Sequence, residues 1–200
     1  MNLRQLGNEV KKQGDDFKSK VIKYYSTVKD YNEKIQNDMM GSQFAKEELE
    51  KMKGNFDKEL AESRENLIAK LEKVIAEEQG YLERNKEVVT PDVLSELTVL
   101  ESLELDNNDI ETYKNKYANN PLALRKLQSI AKAQGNLFFP VQTKEDVLRR
   151  VSSYLKTTID YYQSINTHVL SDMGGEKAID WIVEGNKNGV DTIISEYENA

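Results

Sequence analysis

The side chains able to do covalent or metal chemistry are few and scattered. The 200-residue chain holds one histidine, His168, and no cysteine. That removes disulfides, thiolate nucleophiles and cysteine-based metal sites together. A triad or metal centre would need His168 joined to carboxylates. Ile165 and Val169 take the apolar face of the helix expected there, which turns His168 to its flank and to a surface or boundary role. Asp106-Asn107-Asn108-Asp109 has the acid-and-amide look of a calcium loop. An EF-hand, however, needs an oxygen ligand at its fifth position and glycine at its sixth, and those places hold Ile110 and Glu111. Gly174-Gly175-Glu176-Lys177 lacks both the spacer and the Ser/Thr of a phosphate loop, and reads as a helix break. The neighbouring acids Glu47/Glu48 and Glu77/Glu78 fall on polar helix faces, where paired-carboxylate hydrolysis is not expected. With no nucleophile–base set to assemble, the expectation is a protein that is not an enzyme and carries no cofactor.

Other residues suit contact better than catalysis. From Asp92 to Glu111 there are seven acids and no Lys or Arg. Asp92, Glu96, Glu101 and Glu104 are either a solvated face or an acidic docking surface for a basic partner, one that would weaken as salt rises. The ten tyrosines include the adjacent pairs Tyr24-Tyr25 and Tyr161-Tyr162. Neighbours on a helix point about 100° apart, so one of each pair can enter a core while the other faces elsewhere. Phe138-Phe139-Pro140 reads as a hydrophobic plug under a loop or, through Phe138 and Phe139, as a docking point for another subunit.

The elements that must position these groups are helices throughout. Leu3, Val10, Phe17, Tyr24 and Tyr31 recur every seven residues, interleaved with Gly7, Gly14, Val21, Val28 and Ile35. These are the a and d positions of a coiled-coil seam, cleanest over Phe17, Val21, Tyr24, Val28, Tyr31 and Ile35. Gly7 and Gly14 supply no knob, so the first turns are expected to fray, bend or meet a partner closely. Gly41 is placed to end that helix in the left-handed conformation and Ser42 to cap the next. A second long helix carries Leu49, Met52, Phe56, Leu60, Leu67, Leu71, Val74 and Tyr81 on one face. Two arms of roughly 40 residues would form a hairpin spanning about 60 Å at 1.5 Å per residue, or else one extended helix. The seam reads equally as packing within the chain or between copies.

Thr90-Pro91 then marks a boundary, since proline at the first helical position loses no hydrogen bond. Asn108 with Glu111 has capping-box spacing, Asn119-Asn120-Pro121 repeats the cap-then-proline device, and Gly135 closes a helix through Leu124, Leu127 and Ile130. A long helix starts after a Thr143 cap. Two short helices, around Ile179–Val183 and Val190–Tyr197, are expected on either side of Gly185-Asn186-Lys187-Asn188-Gly189. The fold class expected is all-α: a coiled-coil-like arm or hairpin over residues 1–89, followed by an acidic bundle of short helices over residues 90–200.

Charge excludes several functions. Residues 1–90 balance 17 Lys and Arg against 18 Asp and Glu, whereas residues 91–200 hold 11 against 17. Neither half has the basic excess that nucleic acid or anionic membrane demands, so neither partner is expected. The N-terminus lacks the apolar run of a signal peptide, and no stretch approaches the ~20 apolar residues of a membrane span. A cytoplasmic location is expected.

Thr90-Pro91-Asp92-Val93-Leu94, Asp109-Ile110-Glu111-Thr112-Tyr113 and Tyr117-Ala118-Asn119-Asn120-Pro121-Leu122-Ala123-Leu124-Arg125-Lys126-Leu127 resemble small helical proteins of tailed-phage structural modules. The likeness covers residues 90–135, and a leading coiled-coil arm is also typical of such proteins. It implies capsid assembly, as a scaffold or minor head component, in host cytoplasm or virion, with partners that are further copies of the chain or capsid-type proteins. Scaffolding proteins often end in a basic helix, whereas Ile179–Ala200 holds only Lys187. A virion or assembly-associated homo-oligomer fits that ending better. A regulatory adaptor binding one cellular protein is the alternative.

Overall fold

A computed structural model of the chain describes residues 1–135, 142–164 and 176–199. Among them are seven α-helices and no strand. They are α1 (Leu3–Gln36), α2 (Ser42–Arg84), α3 (Pro91–Ser102), α4 (Asn107–Lys116), α5 (Pro121–Ala133), α6 (Lys144–Ser164) and α7 (Glu176–Glu198). The all-α expectation therefore holds. The chain divides into two compact units, one of residues 1–74 with 153–194 and the other of residues 75–152 with 195–200. This division differs from the sequence-based boundary at 89/90. The reason is that the latter part of α6 and most of α7 pack with α1 and α2, a long-range pairing that no local signal announces.

Capping explains where the helices start. Asn2 Oδ1 accepts from the Gln5 amide at 2.9 Å while Gln5 Oε1 accepts from the Asn2 amide at 3.0 Å. That reciprocal box satisfies two of the amides at the start of α1. Thr90, Asn120 and Thr143 cap as expected: Thr90 and Asn120 accept from Val93 and Ala123, and Thr143 Oγ1 accepts from the Asp146 amide at 3.2 Å. For α4 the cap lies two residues before the predicted Asn108. Asp106 and Asp109 form the box, because a carboxylate at each end satisfies both amides.

The turn after α1 also differs from expectation. Asp38, not Gly41, takes the left-handed conformation (φ 55°). Its amide donates to Ile35 O and that of Met39 to Lys34 O, which satisfies the last carbonyls of α1. Aspartate tolerates this region better than most L residues. Gly135, at φ 81°, ends α5 as expected.

In the first unit α1 and α2 form an antiparallel hairpin, so of the two arm geometries the hairpin is the one adopted. Its register is set by Glu9 with Lys70 (2.6 Å), Lys20 with Glu59, and the Phe17 and Phe56 rings 6.0 Å apart. The Tyr162 ring of α6 sits 5.2 Å from Phe17, and Ile179 and Val183 of α7 complete the cluster. Lys11–Asp191 (2.6 Å) and Asp15–Lys187 (3.0 Å) lay α7 antiparallel on α1. Gly7 and Gly14 are buried at this crossing: the absent side chains admit Ile194 at one and Tyr162 at the other. The close approach expected at these glycines thus occurs inside the chain.

The predicted break at 185–189 is absent, and α7 runs unbroken from Glu176 to Glu198. Gly189 lies where a Cβ would meet the Tyr154 ring, so it serves packing. In the second unit Leu97, Leu100, Ile110, Tyr117, Leu124, Leu127 and Ile130 bring α3, α4 and α5 around one core. Gln134 ties the loop between α3 and α4 by donating to Leu103 O (2.5 Å) and accepting from the Leu105 amide (3.0 Å).

Candidate docking surfaces

The heptad seam changes character along its length. Phe17 and Val21 are buried, at 1% and 0% exposure, inside the first unit. Tyr24, Val28, Tyr31 and Ile35 are only half-buried, and among residues 22–55 Ala45 alone is buried. The seam is thus closed by the chain itself from Leu3 to Val21 and left partly open beyond it. At this open end the hairpin has a cleft of about 390 Å³ whose floor includes Tyr24, Tyr31, Ile35, Ala45 and Leu49. Lys46 and Lys53 stand at its sides. Phe44 and Met39 at the same end are exposed. Wide exposure of ring and thioether there leaves apolar surface without a partner among the described residues.

A second cleft, also about 390 Å³, opens in the other unit between α3 and α5. Val89, Leu94, Leu97, Leu122 and Ala123 line it, with Thr98 and the Lys126 stem at its edge. Its position follows from helix geometry. Leu97 turns to the core, whereas Leu94 and Thr98, one turn apart, lie on the next stripe round the helix, exposed among the described residues. Leu94 is 56% exposed and Leu122 59%. Val88, in the segment before α3, is also exposed.

The four acids singled out on α3 and its flank have separate fates. Glu96 accepts from Lys116 Nζ (2.5 Å) and the Tyr117 hydroxyl (2.6 Å). The lysine, then the phenol, hold its carboxyl below the usual carboxylate range, while burial and then Glu96 push the Tyr117 phenol well above its own. Glu101 pairs with Lys126 at 2.9 Å, on the edge of the α3/α5 cleft. Asp92 sits exposed in the first turn of α3, where it favours the positive end of the helix dipole. Glu104 is exposed in the following loop. Neither lines the cleft. Two of the four therefore brace the fold and two remain in solvent. Phe138, Phe139 and His168 lie outside the described residues.

The depressed Glu96 carboxyl predicts a direction with pH. Its contribution is complete above the unfolded carboxylate range, near 4.3, and is lost as pH falls through the lower folded value. Glu96→Gln should cost the second unit about 1 kcal/mol at pH 7, the scale of one hydrogen-bonded, partly exposed pair. Urea unfolding at pH 7 and pH 3 checks this: the gap between variant and parent should close at the lower pH.

Among the described residues no group of His, Cys, Asp or Glu is arranged to hold a metal ion, and no helix is long and apolar enough to cross a membrane. Sequence reasoning passed over Trp181, the only tryptophan, which is 79% exposed on the outer face of α7. The signal was available: Ile179, Val183, Val190 and Ile194 define the buried stripe of that helix, and Trp181 falls opposite it. No protein-family model, characterised protein or solved structure matches the chain.

Proposed function

We propose that the chain is a non-enzymatic assembly protein that acts through helix-mediated contacts, including contacts with further copies of itself. The observation that supports this is the open hairpin end: a tyrosine- and isoleucine-lined cleft on a heptad seam that the chain's own helices bury from Leu3 to Val21 and leave half-buried beyond it. A half-buried seam of this kind is the usual substrate for addition of further helices. Together with the resemblance of residues 90–135 to tailed-phage structural modules, it supports a role in phage head assembly or as a minor virion component.

Light scattering of the pure protein should show an oligomer. Tyr31→Asp with Ile35→Asp, both lining the cleft, should reduce its mass while circular dichroism keeps its helix content, since neither residue belongs to the buried core. A concentration-independent monomer would overturn the self-assembly reading and favour an adaptor for a single cellular protein.

A further inference from the structure

We infer that the α3/α5 cleft of one copy receives Trp181 of a second copy, a head-to-tail contact separate from the hairpin end. The inference rests on the self-assembly reading and adds to it a second, different interface. Trp181 is the largest exposed apolar side chain, and α7 presents it with Lys177 one turn earlier on the same outward face. Lys177 makes no ion pair among the described residues, whereas the two acids that follow it on α7, Asp180 and Glu184, are held by Lys18 and Lys187. The outer face of α7 therefore offers an aromatic anchor beside a cation with no ion pair among the described residues.

The cleft offers the complement. Its bed is Leu94, Leu97, Leu122 and Ala123, and its volume of about 390 Å³ exceeds an indole. The unit that carries it holds 15 Asp and Glu against 10 Lys and Arg, a net of −5. Glu87, two residues before the cleft residue Val89, has no cationic partner among the described residues. Lys126, the one charged residue of the lining, is neutralised by Glu101 just outside it, in an exposed pair. Such a surface pair exchanges partners at little cost. A desolvated tryptophan in an apolar pocket is the commonest kind of interface anchor, and flanking charge sets its orientation. Because the two surfaces differ, each copy keeps one free end, and the contact generates chains or closed rings.

The single tryptophan makes the test direct. Its emission should shift to the blue as protein concentration rises, in step with the mass seen by sedimentation. Trp181→Ala and the double variant Leu94→Asp with Leu122→Asp should each weaken association by roughly 30-fold or more, the scale of one hot spot. All three substitutions are at exposed positions, so both variants should keep the parent's circular dichroism and urea midpoint. Mixed together, the two variants should restore the blue-shifted emission, since the first retains the cleft and the second the tryptophan. Lys177→Glu should weaken the contact less, with a smaller dependence on salt. Oligomers in which Trp181 still emits as in water, or a mixture whose emission stays unshifted, would overturn the inference and leave the hairpin contact standing. A protein that is monomeric at every concentration would overturn both.

Discussion

Phe17→Ala should destabilise the first unit by about 3–5 kcal/mol, the range for removing a buried aromatic side chain. Phe17 is 1% exposed, and its ring lies against Phe56 of α2 and Tyr162 of α6, within a cluster that also includes Ile179 and Val183 of α7. Four helices meet around one side chain. Truncation leaves a cavity that no single helix can close by shifting, because each is held by its own contacts along the bundle. The loss is a large fraction of the 5–15 kcal/mol typical of a whole domain. Val28→Ala on the same seam removes less apolar surface from a half-buried site, and should cost under about 1 kcal/mol. Urea unfolding followed by circular dichroism would compare the two. Equal costs would mean that the seam is buried uniformly, contrary to the fold described.

The contrast between those two positions shows what could be read from sequence and what could not. Periodicity placed Phe17 and Val28 on one stripe, correctly, because a helix of this length repeats its face regardless of what covers it. Which part of the stripe is covered depends on α6 and α7, whose contacts with α1 lie more than a hundred residues away along the chain. Helix starts at Thr90-Pro91, Asn120-Pro121 and Thr143 were legible for the opposite reason: capping is settled within four residues. Asp106 escaped because two overlapping acid–amide spacings offer the same chemistry, and only the turn before them decides between caps. The α3/α5 cleft was half-visible. The acids of α3 drew notice, yet none of them lines the cleft and Glu96 is occupied with Lys116 and Tyr117, while the apolar residues that do line it share the helical spacing of core residues. Trp181 needed the boundaries of α7 before its outward direction could be seen, and the glycines at 185 and 189 concealed them.

Those glycines are one case of a general ambiguity, and the most discriminating substitution pair follows from it. Gly54→Ala, in α2, should stabilise the protein by up to about 1 kcal/mol, because alanine loses less backbone entropy in a helix and a Cβ there meets nothing within 4 Å. Gly14→Ala, the same change in α1, should do the reverse. Its Cβ would stand 2.6 Å from Tyr162 Oη, 3.0 Å from Tyr162 Cζ and 3.3 Å from Val183 Cγ1. Tyr162 is buried to 1% exposure with its ring against Phe17, so it cannot swing aside, and α1 must move away from α6 and α7. Overpacking of this kind costs about 1–3 kcal/mol, enough to outweigh the propensity gain. Thermal unfolding of both variants should therefore move in opposite directions from the parent. If Gly14→Ala proved as stabilising as Gly54→Ala, the helices would not approach closely at Gly14, and the burial of Leu6, Val10 and Phe17 beside it would have to come from some other packing.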